Sequence, residues 1–107
     1  MGRYITTTGT AGSVTKVINT TYSAVINDRL LCTAGGFTIT LPVSTSCVDG
    51  DTVQIIDAFG NSSGSNITVA RNGPANIQLL AENLTINVNN STTTLVYSTA
   101  LGWIIIK

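Results

Sequence analysis

The sequence predicts an all-β protein, an antiparallel β-sandwich or barrel of about eight short strands that follows an extended N-terminal arm. Three observations lead to this prediction. Thr, Val and Ile are abundant, and these β-branched side chains favour strands. Apolar and polar residues alternate over residues 37–41 and 84–89, as expected of strands with one buried face. No segment carries an apolar stripe of helical period over three turns.

Turn-forming residues separate the candidate strands. Asp49-Gly50 is one such turn, because Gly and Asp tolerate positive φ. Pro42 ends the strand at residues 37–41 because it has no amide hydrogen to donate. Asp57 is placed to cap the turn that follows its strand. The remaining candidate strands are residues 14–18, 22–26, 29–32, 52–56, 66–70, 76–80, 94–97 and 103–106.

The chain carries few charges. Its 107 residues include five Lys or Arg, five Asp or Glu and no His, which gives a net charge of zero. So few cations exclude a phosphate-binding face for nucleic acid, and the lack of His excludes imidazole-based triads and metal sites. We expect no membrane partner, because no apolar run approaches the roughly 18–20 residues that span a bilayer. No signal-peptide pattern lies at the start.

Residues 1–13 differ in composition from residues 14–107, which we assign to a single β domain. The low-complexity segment Thr6-Thr7-Thr8-Gly9-Thr10-Ala11-Gly12-Ser13 has almost nothing to bury. One interpretation is a frayed terminus. The other, which we favour, is an extended arm that becomes ordered against a partner, with Arg3, Tyr4 and Ile5 as its contacts, because Tyr and Arg often anchor interfaces.

Two patterns that resemble chemical sites favour structural explanations. Residues 60–64 match the G-x-S-x-G pattern of a nucleophile elbow around Ser62, but no helix is predicted after it and no His is present to act as base. We therefore expect an ordinary loop in which Ser62 can be replaced without effect. Asp49, Asp51 and Asp57 could supply oxygen ligands to Ca²⁺, but their spacing favours a tight turn before a strand. We expect no enzymatic activity, no cofactor and no metal.

Cys32 and Cys47 could form a disulfide. Without a secretion signal we favour two free, largely buried thiols.

The segment Trp103-Ile104-Ile105-Ile106 is apolar at four successive positions. A strand that is apolar on both faces must be covered on both faces, which is hard to achieve in a small monomer. We therefore assign Trp103 to the core or to a subunit contact rather than to sugar stacking. The residues assigned to core or oligomer contacts are Phe37, Tyr97, Trp103, Ile104, Ile105 and Ile106.

Several motifs along residues 22–106 occur in a characteristic order. They include Phe37-Thr38-Ile39-Thr40-Leu41-Pro42, Gly50-Asp51-Thr52-Val53, Ile56-Asp57 with Gly60-Asn61, Asn66-Ile67-Thr68-Val69, Leu95-Val96-Tyr97 and Gly102-Trp103-Ile104-Ile105. In this order they resemble a β-rich module found repeatedly in virion proteins of tailed bacteriophages. The opening Met1-Gly2-Arg3-Tyr4-Ile5-Thr6-Thr7-Thr8 is similar to the start of short structural proteins of cyanobacterial phages.

The resemblance implies a non-enzymatic virion component, commonly a homotrimer, assembled in the host cytoplasm. Because the chain is short, we expect a capsid decoration or cement protein that binds the major capsid protein, or another virion protein, on the outside of the shell. The alternative is a neck, tail-fibre or tail-spike subunit that acts in attachment or in adhesion to host glycans.

Overall fold

The strands form two β-sheets, and the first six strands alternate between them as the chain proceeds. The computed structural model describes residues 14–106, and within them the strands are β1 Val14–Ile18, β2 Tyr22–Ser23, β3 Asp28–Cys32, β4 Thr38–Thr40, β5 Thr52–Asp57, β6 Ile67–Ala70, β7 Leu84–Ile86, β8 Thr92–Ser98 and β9 Gly102–Ile106. A short 3-10 helix, Ser44–Ser46, lies between β4 and β5. One sheet contains β1, β3, β5, β8 and β9, in that order, and the other contains β2, β4, β6 and β7.

The first six strands wind as three parallel coils. β1, β3 and β5 pair in parallel in the larger sheet, and β2, β4 and β6 pair in parallel in the smaller one. Each coil therefore adds one strand to each sheet, as in a short β-solenoid. The prediction of an antiparallel sandwich was wrong for this half of the chain, because alternation identifies a strand without fixing the direction of its neighbour.

The last three strands run back along the coils. β7 pairs antiparallel with β6, β8 pairs antiparallel with β5, and β9 pairs antiparallel with β8. Both sheets are consequently mixed, and they do not close into a barrel. The all-β class is confirmed for the described residues, whereas the barrel alternative was wrong.

The core lies between the two sheets. Leu30 stands opposite Ile55 in the larger sheet, and Ile39 stands opposite Val69 in the smaller one. All four side chains are almost fully buried, because successive residues of a strand point to opposite faces. None of the helices in the described part of the chain is both long and apolar enough to cross a membrane.

One predicted strand is a turn. In place of a strand at residues 76–80, Ile77 and Leu80 form an isolated bridge around Gln78 and Leu79, which have φ values of 51° and 67°. Two successive positive φ values are typical of a type I′ turn, which usually contains Asn or Gly. The predicted arm, residues 1–13, lies outside the described residues.

Candidate functional site

Gly102 places β9 in the core. Its φ of 82° lies in the left-handed region, and a Cβ at this position would lie 2.6 Å from the carbonyl oxygen of Asn76. This close approach lets the N–H of Trp103 donate to the same oxygen at 2.9 Å. The glycine therefore fixes the start of the strand on which most of the predicted contact residues lie.

The aromatic residues predicted for the core lie where expected. Trp103 is 1% exposed and Tyr97 is 9% exposed, and their rings meet edge to face with centroids 5.3 Å apart. Phe37 is half-buried and packs against the same cluster. A sugar-stacking role for Trp103 would require an exposed ring, so the structure favours the core assignment.

The three isoleucines of β9 divide between the two faces of the larger sheet. Ile105 shares the inner face with Trp103 and packs against the core. Ile104 lies opposite Val96 on the outer face, and Ile106 lies opposite Thr94 on that same face. Ile104 is half-buried and Ile106 is 50% exposed. β9 is therefore apolar on both sides, as the sequence predicted.

The outer face of the larger sheet carries a polar row between two apolar patches. In this row the Nε of Arg29 donates to Gln54, and Gln54 donates to the hydroxyl of Thr94, each at 2.9 Å. The patch on one side of the row is formed by Val17 of β1, Leu31 of β3 and Ile56 of β5. The patch on the other side, from β8 and β9, includes Val96 and Ile104.

A second apolar feature, which we call the corner groove, lies where the smaller sheet turns towards the larger one. It encloses about 390 Å³. Three of its lining residues expose much of their surface: Val25 at 52%, Ile26 at 43% and Val43 at 41%. Its lining includes Val25, Ile26, Leu41, Pro42, Val43 and Cys47.

The corner groove lies near a carboxylate and near the start of β1. Asp51 accepts a hydrogen bond from the N–H of Val48, directly after Cys47. Burial raises the pKa of the Cys47 thiol, and the nearby charge of Asp51 raises it further. The N–H of Val14 donates to the carbonyl of Asn27, directly after Ile26, and the N–H of Asn27 donates to the carbonyl of Thr52, directly after Asp51. Val14, the first described residue, therefore lies beside this groove.

A charged cluster covers the open side of the first coil. Lys16 faces inward at the position that Leu30 and Ile55 occupy in the next two coils. Its amine lies 2.8 Å from the buried carboxylate of Asp28 and donates to the hydroxyl of Tyr22, also at 2.8 Å. The hydrogen bonds to Asp28 and to Tyr22 raise the pKa of Lys16, so the amine stays charged.

The G-x-S-x-G segment is a structural loop held together by Asp57. The Asp57 carboxylate accepts hydrogen bonds from the backbone N–H groups of Gly60, Ser62 and Asn90, which confirms the predicted cap. Burial alone would raise the pKa of Asp57, but these bonds outweigh it and lower the pKa below its ordinary value. Ser62 is fully buried and its hydroxyl donates to the carbonyl of Val88 at 2.6 Å. The expectation that Ser62 can be replaced without effect therefore needs correction.

The other acidic residues stabilise turns. Asp49 accepts bonds from the backbone and the hydroxyl of Thr99, which lower its pKa. Gly50 has a φ of 91°, so the predicted Asp49-Gly50 turn is confirmed. Among residues 14–106, no group of three or more Cys, Asp or Glu could hold a metal ion.

Both cysteines are free and buried, as predicted. Burial raises the pKa of Cys32 to about 11, with a further contribution from Asp57.

The sequence reasoning missed two groups of surface residues. The outer-face residues Leu31, Ile56 and Val96 could have been found, because each follows another apolar residue in a strand. Val25 and Ile26 were assigned to a strand and their exposure was not foreseen. The predicted arm contacts Arg3, Tyr4 and Ile5 lie outside the described residues.

Comparison with known proteins gives no matching family model and no matching curated protein. The resemblance to phage virion proteins therefore remains a prediction from the sequence.

Proposed function

We propose that this chain is a non-enzymatic structural subunit that associates with copies of itself, as a homotrimer, through the outer face of the larger sheet. The observation that carries the proposal is the division of β9, in which Trp103 and Ile105 serve the core while Ile104 and Ile106 lie on the outer face. Apolar residues on the second face of a sheet lose contact with water only when another surface covers them.

The charge distribution supports association between copies. Arg29 is the one charged residue in the polar row, and its Nε donates to Gln54. The whole chain has no net charge, so long-range repulsion between copies is weak. A mixed face with apolar patches and a hydrogen-bonded polar row matches the composition of protein interfaces.

Within this proposal the subunit is a decoration or cement protein on the outside of a phage capsid. The support is the resemblance of the ordered motifs to virion proteins. Such a protein binds only the assembled shell, and binding one state but not another stabilises the bound state by mass action. The partners are further copies of the chain and the major capsid protein.

The test of self-association is light scattering of the full chain at micromolar concentration. The expected mass is three times the 11.1 kDa of one chain. Ile104→Asp should shift this mass to that of a monomer, because a carboxylate would lose its hydration in the interface. Thr85→Asp is the matched control, since Thr85 is exposed on a strand of the other sheet. A monomer at every concentration, or a trimer that tolerates Ile104→Asp, contradicts the proposal.

The capsid location is tested by imaging intact particles in which this chain carries a label. Density at symmetry-related positions on the shell supports the decoration role. Density confined to the neck, to a tail fibre or to a tail spike replaces it with the attachment role.

A further inference from the structure

The corner groove exposes apolar surface for which residues 14–106 provide no cover. Val25, Ile26 and Val43 line it and expose between 41% and 52% of their surface. At its bottom, Leu41 and Cys47 are 1% and 8% exposed. The groove is therefore suited to a few apolar side chains on a short extended segment.

The charge near the groove favours a cationic segment. Asp51 lies beside Cys47 and Val48, and it forms no ion pair within the described residues. Residues 14–106 contain five acidic and three basic side chains, so this part of the protein is anionic. A segment with one cation next to apolar residues would match the groove and its rim.

The chain itself contains such a segment outside the described residues. Arg3 is followed directly by Tyr4 and Ile5, and Arg3 is the one charged side chain among residues 1–13. Tyr and Arg are also the side chains that most often dominate binding at interfaces. The segment thus has the charge and the apolar side chains that the groove requires.

The length of the intervening chain favours a groove on a neighbouring copy. Val14 lies beside its own groove, because its N–H bonds to the carbonyl of Asn27, which follows the lining residue Ile26. Nine residue steps separate Ile5 from Val14, and an extended chain of that length spans about 30 Å. The three successive threonines at positions 6–8 favour extended backbone. Extended residues would carry Ile5 past its own groove, across a molecule of 43 × 32 × 22 Å.

We propose that Arg3-Tyr4-Ile5 of one copy binds in the corner groove of a neighbouring copy, with Ile5 against Cys47 and Arg3 beside Asp51. This inference rests on the proposed self-association and names a second contact between the same subunits. Each subunit then both donates and receives a segment, which is the pattern of a closed ring.

The native thiol in the groove allows a direct test on the full chain. Ile5→Cys introduces a thiol that should lie next to Cys47 of the neighbour. Mild oxidation with diamide, which takes up the two hydrogen atoms as the disulfide forms, should yield covalent dimers and trimers on non-reducing gels. Peptide mass mapping should locate the bond between position 5 and Cys47.

Two controls identify the bonded residues. Ile5→Cys combined with Cys47→Ala should lose the cross-link, which excludes a bond between two introduced thiols. Thr10→Cys should form little disulfide with Cys47, because position 10 belongs to the intervening segment. Cys32 remains as an internal control, since it is fully buried.

The outcomes separate this inference from the proposed function. A bond to Cys47 within one chain shows that the groove takes its own segment, and it overturns the assignment to a neighbour. No bond to Cys47, while light scattering still gives a trimer, overturns the groove assignment and leaves the proposed function in place. A monomer by light scattering that forms no cross-link overturns both.

Discussion

Trp103 meets Tyr97 edge to face, with ring centroids 5.3 Å apart and ring planes at 66°. The pair joins β8 to β9, because the two residues are direct partners across these strands. Edge-to-face pairs add about 0.5–1.5 kcal/mol to the free energy of burial. The core thus depends on a strand that also supplies the proposed interface.

Trp103→Ala should lower the free energy of unfolding by about 3–5 kcal/mol, a large part of the stability of a domain of this size. Urea denaturation followed by circular dichroism measures the change. Trp103→Phe, which keeps an aromatic ring, should lower the free energy of unfolding by less. A Trp103→Ala protein that folds normally and loses only glycan binding would contradict the core assignment and support the adhesion role.

Ser62→Ala should lower the free energy of unfolding by about 0.5–1.5 kcal/mol, because it removes the hydrogen bond from the fully buried Ser62 hydroxyl to the carbonyl of Val88. The control is Ser63→Ala, because Ser63 is exposed and its backbone rather than its side chain bonds to Asn89. Equal urea midpoints for the two variants would show that the Ser62 bond contributes nothing.

Asp57 should make stability fall in acid. Its pKa is lower in the folded protein than in the unfolded chain, so the unfolded chain binds the proton first as the pH falls. The stabilisation is therefore complete well above pH ~4 and is lost as the pH falls through the folded-state pKa.

This pH dependence is measured as the urea midpoint of the wild type and of Asp57→Asn between pH 7 and pH 3. The difference between the two proteins should shrink as the pH falls. Asp49→Asn is the comparison, and it should show a smaller effect, since Asp49 is exposed. A constant difference across the range would rule out Asp57 as the titrating group.

Lys16→Met should destabilise the fold, because it leaves the carboxylate of Asp28 buried without its counter-ion. Adding Asp28→Asn should restore part of the loss, since an amide needs no counter-ion and its oxygen can still accept the bond from Val25. Urea midpoints of the two single variants and of the double variant give the coupling. If the stability losses of the two single variants add up to the loss of the double variant, the ion pair does not contribute to stability.

The two thiols should react at different rates. Cys32 is fully buried with a pKa of about 11, and the thiolate is the reactive form. In the folded Cys47→Ala variant, the thiol of Cys32 should therefore react with an aromatic disulfide reagent only after urea is added. Rapid reaction of Cys32 in the folded protein would contradict its placement.

Strand positions could be predicted well, and strand directions could not. Alternation located β4 to within one residue at each end, since the pattern depends only on which face is buried. The candidate strand at residues 52–56 matches β5 to within one residue, whereas the alternating segment at residues 84–89 extends three residues beyond the end of β7. Whether β3 pairs with β5 in parallel depends on how the chain crosses between two sheets, and local sequence does not encode that path. The turn at Gln78 and Leu79 was missed because neither residue is a usual turn former.

The candidate site was predictable only in part. The two-faced character of β9 follows directly from its four successive apolar residues. The corner groove does not, because it forms where Val25 and Val43, from separate coils, come together in space. Such a feature depends on tertiary stacking and leaves no local pattern in the sequence.

The inward-facing amine of Lys16 also disfavours the stacking of further molecules end to end along the axis of the coils. A bare coil end exposes strand edges on which another molecule could continue the sheets, and repeated addition would grow a filament. Here any molecule stacking on that end would have to dehydrate Lys16, so propagation along the coil axis is disfavoured from this side. In the proposed assembly, growth would then be directed to lateral contacts, where rotational symmetry can set a finite number of subunits.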